Sequence, residues 1–378
     1  MNTVPLLPEL KTAPAVFAVG RDYQIMALVK SDLLFWVTVG DHAFYDHTNG
    51  IMRSSVRVHT VTVPASLLDG AGSYTVHYRK VINRKPYFPE SEETVSATYP
   101  FYPVPTDRPV RIYHLADTHG NFEMPLAAAS YFGEAPDLLI LNGDIPDHSG
   151  DVAYFDLIYK LAEGVTGGSR PVIFSRGNHD TRGLCAEQIT SYAPTDGGRS
   201  YFTFRVGNVW GIVLDCGEDK PDDHDAYRYT NVCHHFRLAQ TDFIKQVIVN
   251  AASEYAAEGV THRLVIAHNP FSYTYKEPFN IEYDIYTEWV ELLAAHVRPD
   301  ALIAGHLHYA EVKQEGGELD TAGAIPVIVG SAVRRDENHR FTHYMGAALT
   351  LGQGSIKVAF TNHLGQAEVE HELVLREL

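Results

Sequence analysis

RIYHLADTH (residues 111–119) is the first of five apolar runs that each end in polar residues. The others are LLILNGD (138–144), PVIFSRGNHD (171–180), LVIAHNP (264–270) and ALIAGHLH (301–308). Short apolar runs separated by helical stretches are typical of the strands of an α/β domain. In such folds the carboxyl ends of the strands lie at one edge of the sheet, where ligands bind. The sequence therefore predicts an α/β layered domain with a single pocket at that edge.

The strand ends supply the side chains of a metal site. They are Asp117, His119, Asp144, Asn178, His179, Asp180, His268, His306 and His308. Imidazole and carboxylate ligands suit Zn, Fe, Mn or Ni better than metals that prefer thiolates. In DTH and HLH, two candidate ligands separated by one residue point the same way, so both can reach one ion or two adjacent ions. The set therefore predicts a site for two ions, which stand roughly 3.5–4 Å apart in two-metal hydrolases.

Glycine precedes three of the candidate ligands. Gly143, Gly177 and Gly305 come directly before Asp144, Asn178 and His306. Glycine permits tight turns and a close approach of backbone to ligand. We expect these three positions to depend on that freedom.

Other sequence patterns predict the remaining helices and strands of the second half of the chain. Apolar residues recur at helical spacing from Gln240 to Ala256, which predicts a helix there. Gly207-Asn208 separates two alternating runs, a pattern typical of a β-hairpin, so we expect a mixed sheet. The segments GAALTL, IKVAF and VEHELVL near the C-terminus predict further strands.

The first hundred residues show a different pattern. Between residues 15 and 99, short β-rich runs alternate with turn clusters, and no convincing helix is apparent. This spacing predicts a small all-β sandwich over residues 1–105. Four prolines between residues 99 and 109 indicate a stiff extended linker. The second domain is therefore placed at residues 106–378.

Composition excludes several kinds of partner. The chain has 378 residues, more than a single core usually organises, and a formal net charge of −17. This charge disfavours long nucleic acids, which bind basic surfaces. No apolar stretch approaches the roughly 20 residues that span a bilayer, and the N-terminus does not resemble a signal peptide, so a cytoplasmic location away from membranes is expected. Three widely spaced cysteines argue against a disulfide framework or a thiolate zinc site.

In order along the chain, the motifs DxH, GD, GNHD, H and GHxH resemble the series found in calcineurin-like metallophosphoesterases, over about residues 111–310. This resemblance implies a four-layer α/β/β/α sandwich. It implies a first ion held by Asp117, His119, Asp144 and His308, and a second held by Asp144, Asn178, His268 and His306. Asp144 would bridge the two ions.

The same resemblance gives the two remaining strand-end residues catalytic roles. His179 would stabilise the transferring phosphoryl group or protonate the leaving oxygen, and Asp180 would orient His179. Arg176 and Arg182 flank this motif and could either bind phosphate or pair with a carboxylate, so they stay outside the catalytic set. His114 is interpreted as a buried structural histidine.

Some positions depart from subfamily patterns. Purple acid phosphatases carry a tyrosine three residues after the second-motif aspartate and usually lack the first-motif histidine, whereas this chain has Asp147 and His119. Protein phosphatases read GDxxDRG, whereas His148 and Ser149 follow Asp147 here. The β-rich N-terminal region nevertheless resembles the domain order of purple acid phosphatases. Residues 218–235 form either a loop over the site, with Tyr227 and Tyr229 available for stacking, or a solvated acidic loop.

The predicted function is hydrolysis of a small phosphate monoester or diester, with two divalent or trivalent ions (Mn, Fe or Zn) and a metal-bound hydroxide as nucleophile. One alternative is a non-catalytic, metal-stabilised protein whose N-terminal β domain binds a partner. A second alternative keeps the two ions for redox chemistry. The sequence does not indicate the natural substrate or the oligomeric state.

Overall fold

Two β-sheets stacked face to face form the centre of the molecule in the computed structural model, which describes residues 4–314 and 325–375. Twenty-three strands lie in the described residues. Those of the first hundred residues are β1 (Ala15–Val19), β2 (Asp22–Leu28), β3 (Leu33–Val39), β4 (His42–Tyr45), β5 (His47–Thr48), β6 (Ile51–Met52), β7 (Val58–Pro64), β8 (Ser73–Asn83), β9 (Glu90–Ser91) and β10 (Val95–Pro100). Those that follow are β11 (Val110–Leu115), β12 (Leu138–Asn142), β13 (Pro171–Ser175), β14 (Phe202–Val206), β15 (Val209–Leu214), β16 (His262–Ala267), β17 (Ala301–Ala304), β18 (Glu311–Lys313), β19 (Val327–Val329), β20 (Ala332–Arg335), β21 (Phe341–Gly352), β22 (Ser355–Asn362) and β23 (Ala367–Val374).

Five α-helices accompany these strands in the described part of the chain. They are α1 (Ala65–Ala71), α2 (Glu123–Ala128), α3 (Asp156–Thr166), α4 (Cys233–Val249) and α5 (Tyr283–Leu292). Short 3₁₀ turns occur at Ala129–Phe132, Val152–Phe155, His179–Thr181, Ala186–Ser191 and Ala251–Ser253, and a π-helical turn at Leu293–Val297. None of the helices among these residues is both long and apolar enough to cross a membrane.

The sheet order brings the strand ends together. The larger sheet runs β23-β22-β21-β11-β12-β13-β1-β2-β7, with β20 also paired to β21, and the second runs β14-β15-β16-β17-β19-β18. Strands β11, β12 and β13 are mutually parallel, as are β15, β16 and β17. Parallel strands have their carboxyl ends at one edge, so each sheet presents the ends of its central strands on one side.

Three apolar cores define four layers. Ile112 and Ile140 of the larger sheet pack with Ile266 and Ile303 of the second sheet between the two. On the other face of the larger sheet, the strands pack against α3, and on the other face of the second sheet they pack against α4 and α5. Burial of these apolar faces is the main favourable term that holds the layers together. The predicted α/β/β/α sandwich is confirmed.

The N-terminal region does form a small β-sandwich. A sheet of order β10-β8-β3-β4, with β9 beside β8, packs through Phe35 and Val37 against Ile25 and Val61 of β2 and β7. Those two strands belong to the larger sheet, because β1 pairs in parallel with β13. One wall of the sandwich is therefore the edge of the central sheet. The domain boundary between residues 105 and 106 stays a prediction.

Two local predictions differ from the structure. Helix α1 lies in the region where no helix was expected, and at seven residues it is too short to show a clear apolar periodicity. Helix α4 spans Cys233–Val249 instead of residues 240–256. It begins earlier because its first turns bury Arg237 and Gln240, which an apolar pattern does not detect, and a separate 3₁₀ turn follows it at Ala251–Ser253. The predicted hairpin is confirmed, with Val206 paired to Val209 and Gly207-Asn208 between them.

Candidate metal centre

The five predicted strand ends meet at one place. Their polar residues follow β11, β12, β13, β16 and β17, which belong to both central sheets. Backbone hydrogen bonds join neighbouring ends: Asp117 N donates to Gly143 O at 3.1 Å, and Gly305 N donates to His268 O at 2.9 Å. The site therefore lies where the carboxyl edges of the two stacked sheets come together.

One group of donor atoms surrounds a first candidate position. The Nε2 atoms of His119 and His308 lie 3.0 Å apart. Oδ1 of Asp117 lies 3.4 Å from His308 Nε2 and 4.0 Å from His119 Nε2. Ligand atoms that share one ion at about 2.0–2.2 Å stand about 3.0–3.5 Å apart at ordinary coordination angles. Most of these separations already match a shared ion.

A second group lies directly beside the first. His268 Nε2 is 3.3 Å from Asp144 Oδ2 and 3.6 Å from Asp117 Oδ1. Asp144 Oδ2 is also 4.0 Å from His119 Nε2, so this oxygen faces both groups. The last two predicted ligands contact each other, with Asn178 Oδ1 3.0 Å from His306 Nδ1. The ring centroids of His268 and His306 are 5.4 Å apart, so Asn178 and His306 lie next to the group around His268.

Buried atoms without hydrogen bonds show that a cation fits here. Asp117 Oδ1 and His268 Nε2 are both fully buried and have no hydrogen-bond partner. An unpaired buried polar atom costs roughly 1–3 kcal/mol, and a buried carboxylate without a counter-charge costs more. Both atoms point at the same space, together with Asp144. Metal coordination would satisfy all of them at once, so these donors fit a metal ion.

The pKa shifts of the buried side chains also indicate that this site requires positive charge. Burial by itself would lower the pKa of His268, but the carboxylates of Asp144 and Asp117 raise it to about 10. Burial would raise the pKa of Asp117, yet His268 and His308 hold it well below its usual range. A proton on His268 therefore supplies the cation between two carboxylates when no metal is bound. Metal ligation by histidine displaces such a proton.

Unusual backbone geometry marks the candidate ligands. Five of the seven have positive φ angles, between 45° and 68°. Left-handed backbone is uncommon outside glycine, and residues forced into it cluster at functional sites. The five are Asp117, His119, Asp144, His306 and His308. The strand ends thus turn sharply at the residues whose side chains converge.

Glycine is required next to these turns. A Cβ atom on Gly143, whose φ is +78°, would lie 2.6 Å from the Cα of Gly177. A Cβ atom on Gly177 would lie 2.3 Å from Asp144 Oδ1. Both separations are shorter than real contacts, so the two glycines let adjacent strand ends touch.

Several supporting residues were absent from the sequence prediction. Ser331 donates a short hydrogen bond to Asp117 Oδ2, which also accepts from His306 N at 2.9 Å. These bonds leave Asp117 Oδ1 free to face the metal position. Ser331 follows the apolar strand β19, so the pattern that identified the other five strand ends also applies to it.

Asn142 is a second supporting residue. Its backbone oxygen accepts from His268 Nδ1 at 2.7 Å, which leaves His268 Nε2 as the nitrogen that faces the carboxylates. Its side chain donates to His114 Nε2 at 3.0 Å. Burial lowers the pKa of His114 to about 3, so this histidine is a neutral acceptor inside the core. The structural interpretation of His114 agrees with these contacts.

The two predicted catalytic residues occupy different environments. His179 is partly exposed, and its Nε2 lies 3.9 Å from Asp144 Oδ2. Asp180 is fully buried, and its Oδ2 accepts from Gly177 N at 2.7 Å and Asp144 N at 3.1 Å. Asp180 thus fixes the backbone that carries Asp144. The ring of His179 is instead oriented by the backbone oxygen of Asp147, 2.7 Å from its Nδ1.

Arg182 decides which nitrogen of His179 carries the proton. Its Nη1 lies 3.1 Å from His179 Nε2, and because a guanidinium only donates, Nε2 is the acceptor. The proton then sits on Nδ1 and is donated to Asp147 O. Burial lowers the pKa of His179, which agrees with a neutral ring.

Both arginines of the third motif are paired with carboxylates. Arg182 makes a two-pronged contact with Glu218, with Nη2 2.7 Å from Oε2 and Nε 2.9 Å from Oε1. Arg176 Nε lies 2.7 Å from Asp215. Glu218 begins the segment 218–235, so Arg182 connects this segment to His179. The Tyr227 hydroxyl donates to Glu218 and Asp219 and its ring is buried, whereas Tyr229 is exposed.

Comparison with known proteins agrees with this geometry. The fold is similar to that of the purple acid phosphatase PPD1 from yellow lupin (Lupinus luteus) seeds, with a TM-score of 0.62 and 12% identity over 97% of this chain and 75% of the lupin chain. It is also similar to PhoD, with a TM-score of 0.52 and 10% identity over 97% of this chain and 90% of PhoD. A comparison with curated proteins gives no match.

The structure brings together Asp and His groups able to bind metal, in a fold similar to those of these two proteins. A family model for calcineurin-like phosphoesterases matches residues 110–310, slightly more than half of the chain. The chain therefore belongs to the calcineurin-like phosphoesterase family. The resemblance inferred from the motifs is confirmed.

Proposed function

We propose that this protein hydrolyses a small phosphate monoester or diester with two divalent or trivalent metal ions. The observation that carries the proposal is the convergence of Asp117, Asp144 and His268 on one space, where Asp117 Oδ1 and His268 Nε2 are buried without a hydrogen bond. Asp117, His119, Asp144 and His308 would hold the first ion, and Asp144, Asn178, His268 and His306 the second. Two ions held there would activate the attacking water and withdraw charge from the phosphoryl oxygens.

Exposure of the surrounding side chains indicates how the ester reaches the site. The side chains of His308 and Asp147 are about half exposed, at 45% and 50%, whereas those of Asp117, Asp144 and His268 are buried. A phosphate group therefore approaches from the side of His308, His179 and Asp147. The buried aspartates and His268 stay behind the reaction centre and keep the metal positions fixed.

His179 and Arg182 act at the open side. The neutral ring of His179 presents Nε2 beside a guanidinium that stays charged at any relevant pH. In that arrangement Arg182, whose charge is paired with Glu218 and Asp219, fixes the orientation of the His179 ring. His179 gains a proton at Nε2 only when the contact with Arg182 opens, and it can then protonate the leaving oxygen.

Aromatic side chains favour an ester with an apolar or aryl group. Phe271, Tyr275 and Phe279 line a narrow cleft with Asp219 and His306. This cleft borders the second metal position because His306 belongs to both. Phe271 is buried, so it is the exposed ring of Phe279 that can stack on a flat apolar group.

Hydrolysis of p-nitrophenyl phosphate beside bis-p-nitrophenyl phosphate tests the proposal. Metal-stripped protein is reconstituted in turn with Mn, Fe and Zn, and bound metal is measured on the same samples. We expect turnover only with metal, and the preferred ester then selects between monoesterase and diesterase. Full activity in stripped protein would overturn the proposal.

Two variants connect turnover to the site. Asp144→Asn and His308→Ala are expected to abolish hydrolysis and to lower metal content, because each removes a donor. His296→Ala is the control, since this exposed histidine lies in a turn on the outer helix layer. Two bound ions without turnover of either ester would favour the alternative, a metal-stabilised protein whose N-terminal β domain binds a partner.

A further inference from the structure

The ring of His119 has two sides with different neighbours. Its Nε2 faces His308, Asp117 and Asp144, the donors of the first metal position. Its Nδ1 faces the opposite way and lies 3.3 Å from Asp147 Oδ1. Nδ1 is buried and has no hydrogen bond of good geometry in the structure. A small rotation of the half-exposed Asp147 side chain would complete a bond to it.

Arg335 contacts the same oxygen of Asp147 as His119 does. Nη2 of Arg335 lies 3.2 Å from Asp147 Oδ1, and its guanidinium stacks 4.3 Å from the centre of the Phe341 ring. The pairing of β20 with β21 shifts by one residue between Arg334 and Arg335. Such bulges re-aim side chains next to functional sites. Arg335, from a strand outside the five motifs, is thereby aimed at the metal centre.

We propose that Asp147, held by Arg335, is a positioning residue that fixes the ring and tautomer of His119 toward the first metal ion. A histidine that binds metal through Nε2 must carry its proton on Nδ1, and a carboxylate beside Nδ1 both fixes that tautomer and orients the ring. Arg335 keeps the carboxylate from turning into solvent. This inference rests on the proposed function only in assuming that metal binds at the first position.

A different role for Asp147 is direct metal binding. Donor atoms of His119, Asp147 and His179 all lie within 4.8 Å of one another. The two roles predict different effects of an Asp147 substitution when His119 is absent. A positioning residue acts only through His119, whereas a direct ligand acts whether or not His119 is present.

The test measures Mn²⁺ binding to metal-stripped protein by equilibrium dialysis, without substrate. Asp147→Asn keeps the side-chain size and removes the charge, and we expect it to weaken one of the two sites by about 10–100-fold, the usual effect of losing such a partner. Arg335→Gln should weaken the same site by less. The double variant should bind no more weakly than Asp147→Asn alone. Arg334→Gln, at the exposed neighbouring position, is the matched control and should leave both affinities unchanged.

A second comparison uses the His119→Ala background. Adding Asp147→Asn there should cause no further loss of Mn²⁺ affinity at either site. Unchanged affinity in Asp147→Asn alone, or a further loss in the His119→Ala background, would overturn the inference. Melting temperatures of the metal-free variants check that each chain is folded.

The outcomes separate this inference from the proposed function. Two bound Mn²⁺ ions with the expected variant effects, but no ester hydrolysis, would refute the hydrolase and leave the role of Asp147 intact. Metal-dependent hydrolysis with no effect of Asp147→Asn on Mn²⁺ affinity would refute only the role of Asp147.

Discussion

The side chains of the site are of two kinds: some are charged and buried, and others are partly exposed to solvent. Asp117, Asp144 and His268 are buried. Burial disfavours their charged forms, but attraction between His268 and the two carboxylates lowers the pKa of each aspartate and raises that of His268. His179 is partly exposed and bonded to Arg182 and Asp147 O. Removal of a buried charge disturbs the whole centre, whereas removal of His179 should disturb only the chemistry.

His179→Ala is therefore expected to keep both metal ions and to lower kcat by about 10²–10⁴-fold, the usual contribution of a general acid. The physical reason is that Asp144 accepts from the backbone N of His179, which the substitution keeps, whereas the His179 ring lies 3.9 Å from Asp144 Oδ2. Metal analysis and steady-state kinetics on the same preparation check this. A rate equal to that of the unaltered protein would remove His179 from the mechanism, and a loss of metal would make it a ligand.

At the scale of elements, the site depends on how closely adjacent strand ends approach. Gly177 lies two residues after β13, and Asp144 lies two residues after β12. An added Cβ on Gly177 would meet Asp144 Oδ1 at 2.3 Å and Asp144 N at 2.4 Å. Neither neighbour can move without shifting the carboxylate that faces both metal positions.

Gly177→Ala should lower both metal content and stability, the latter by about 1–3 kcal/mol, as overpacking usually does. Gly70→Ala is the matched control, because Gly70 has open space around it in the exposed face of α1. That change should stabilise the protein by about 0.4–1 kcal/mol. Urea unfolding and metal analysis measure both effects, and normal metal binding in Gly177→Ala would contradict the packing argument.

At the scale of the whole molecule, the edge of the larger sheet opposite the metal centre carries its own charge cluster. Asp137 precedes β12, is fully buried, and accepts from Arg108 Nη1 and Nη2 at 2.8 Å each and from Arg111 N at 3.0 Å. Burial would raise the pKa of Asp137, but the hydrogen bond from Arg108, the bond from Arg111 N and their charges hold it below its ordinary value.

A lowered folded-state pKa gives a defined pH dependence. The stabilisation by Asp137 is present above its unfolded pKa of about 3.9 and is lost as pH falls through the lower folded-state pKa. Asp137→Asn should therefore be less stable than the unaltered protein at pH 7, and the difference should shrink toward pH 3. Urea unfolding at both pH values tests this. Glu134→Gln, at an exposed pair with Arg111, should change stability little at either pH, and a constant difference for Asp137→Asn would refute the linkage.

The shared sheet couples the N-terminal region to the metal centre. Because β1 pairs with β13 and one apolar core covers both regions, a fragment of residues 106–378 would expose the edge of β13 and much of that core. We expect this fragment to lack a cooperative thermal transition, measured by circular dichroism. Cooperative unfolding near the temperature of the whole chain would show that residues 106–378 fold independently.

Much of the site could be predicted from sequence because each candidate ligand follows its own apolar strand. The order of the motifs predicted the family and the four layers. The structure places the seven candidate ligands near one another, and their roles stay predictions. Ser331 follows an apolar strand as the candidate ligands do, but its contact with Asp117, like that of Arg335 with Asp147, depends on the pairing of β19 and β20 with distant strands. Asp180 contacts backbone amides and not the ring of His179, because of the turn that follows β13.

The sequence by itself determined which residues end the strands and which chemistry those residues can perform, because apolar periodicity and ligand type are local properties. Only the tertiary structure decided that β1, β2 and β7 extend the larger sheet, since strand pairing over more than a hundred residues leaves no local trace. It also decided that Asp147 lies between His119 and Arg335. That contact joins the loop after β12 to β20, and only the packing of the strands sets the distance.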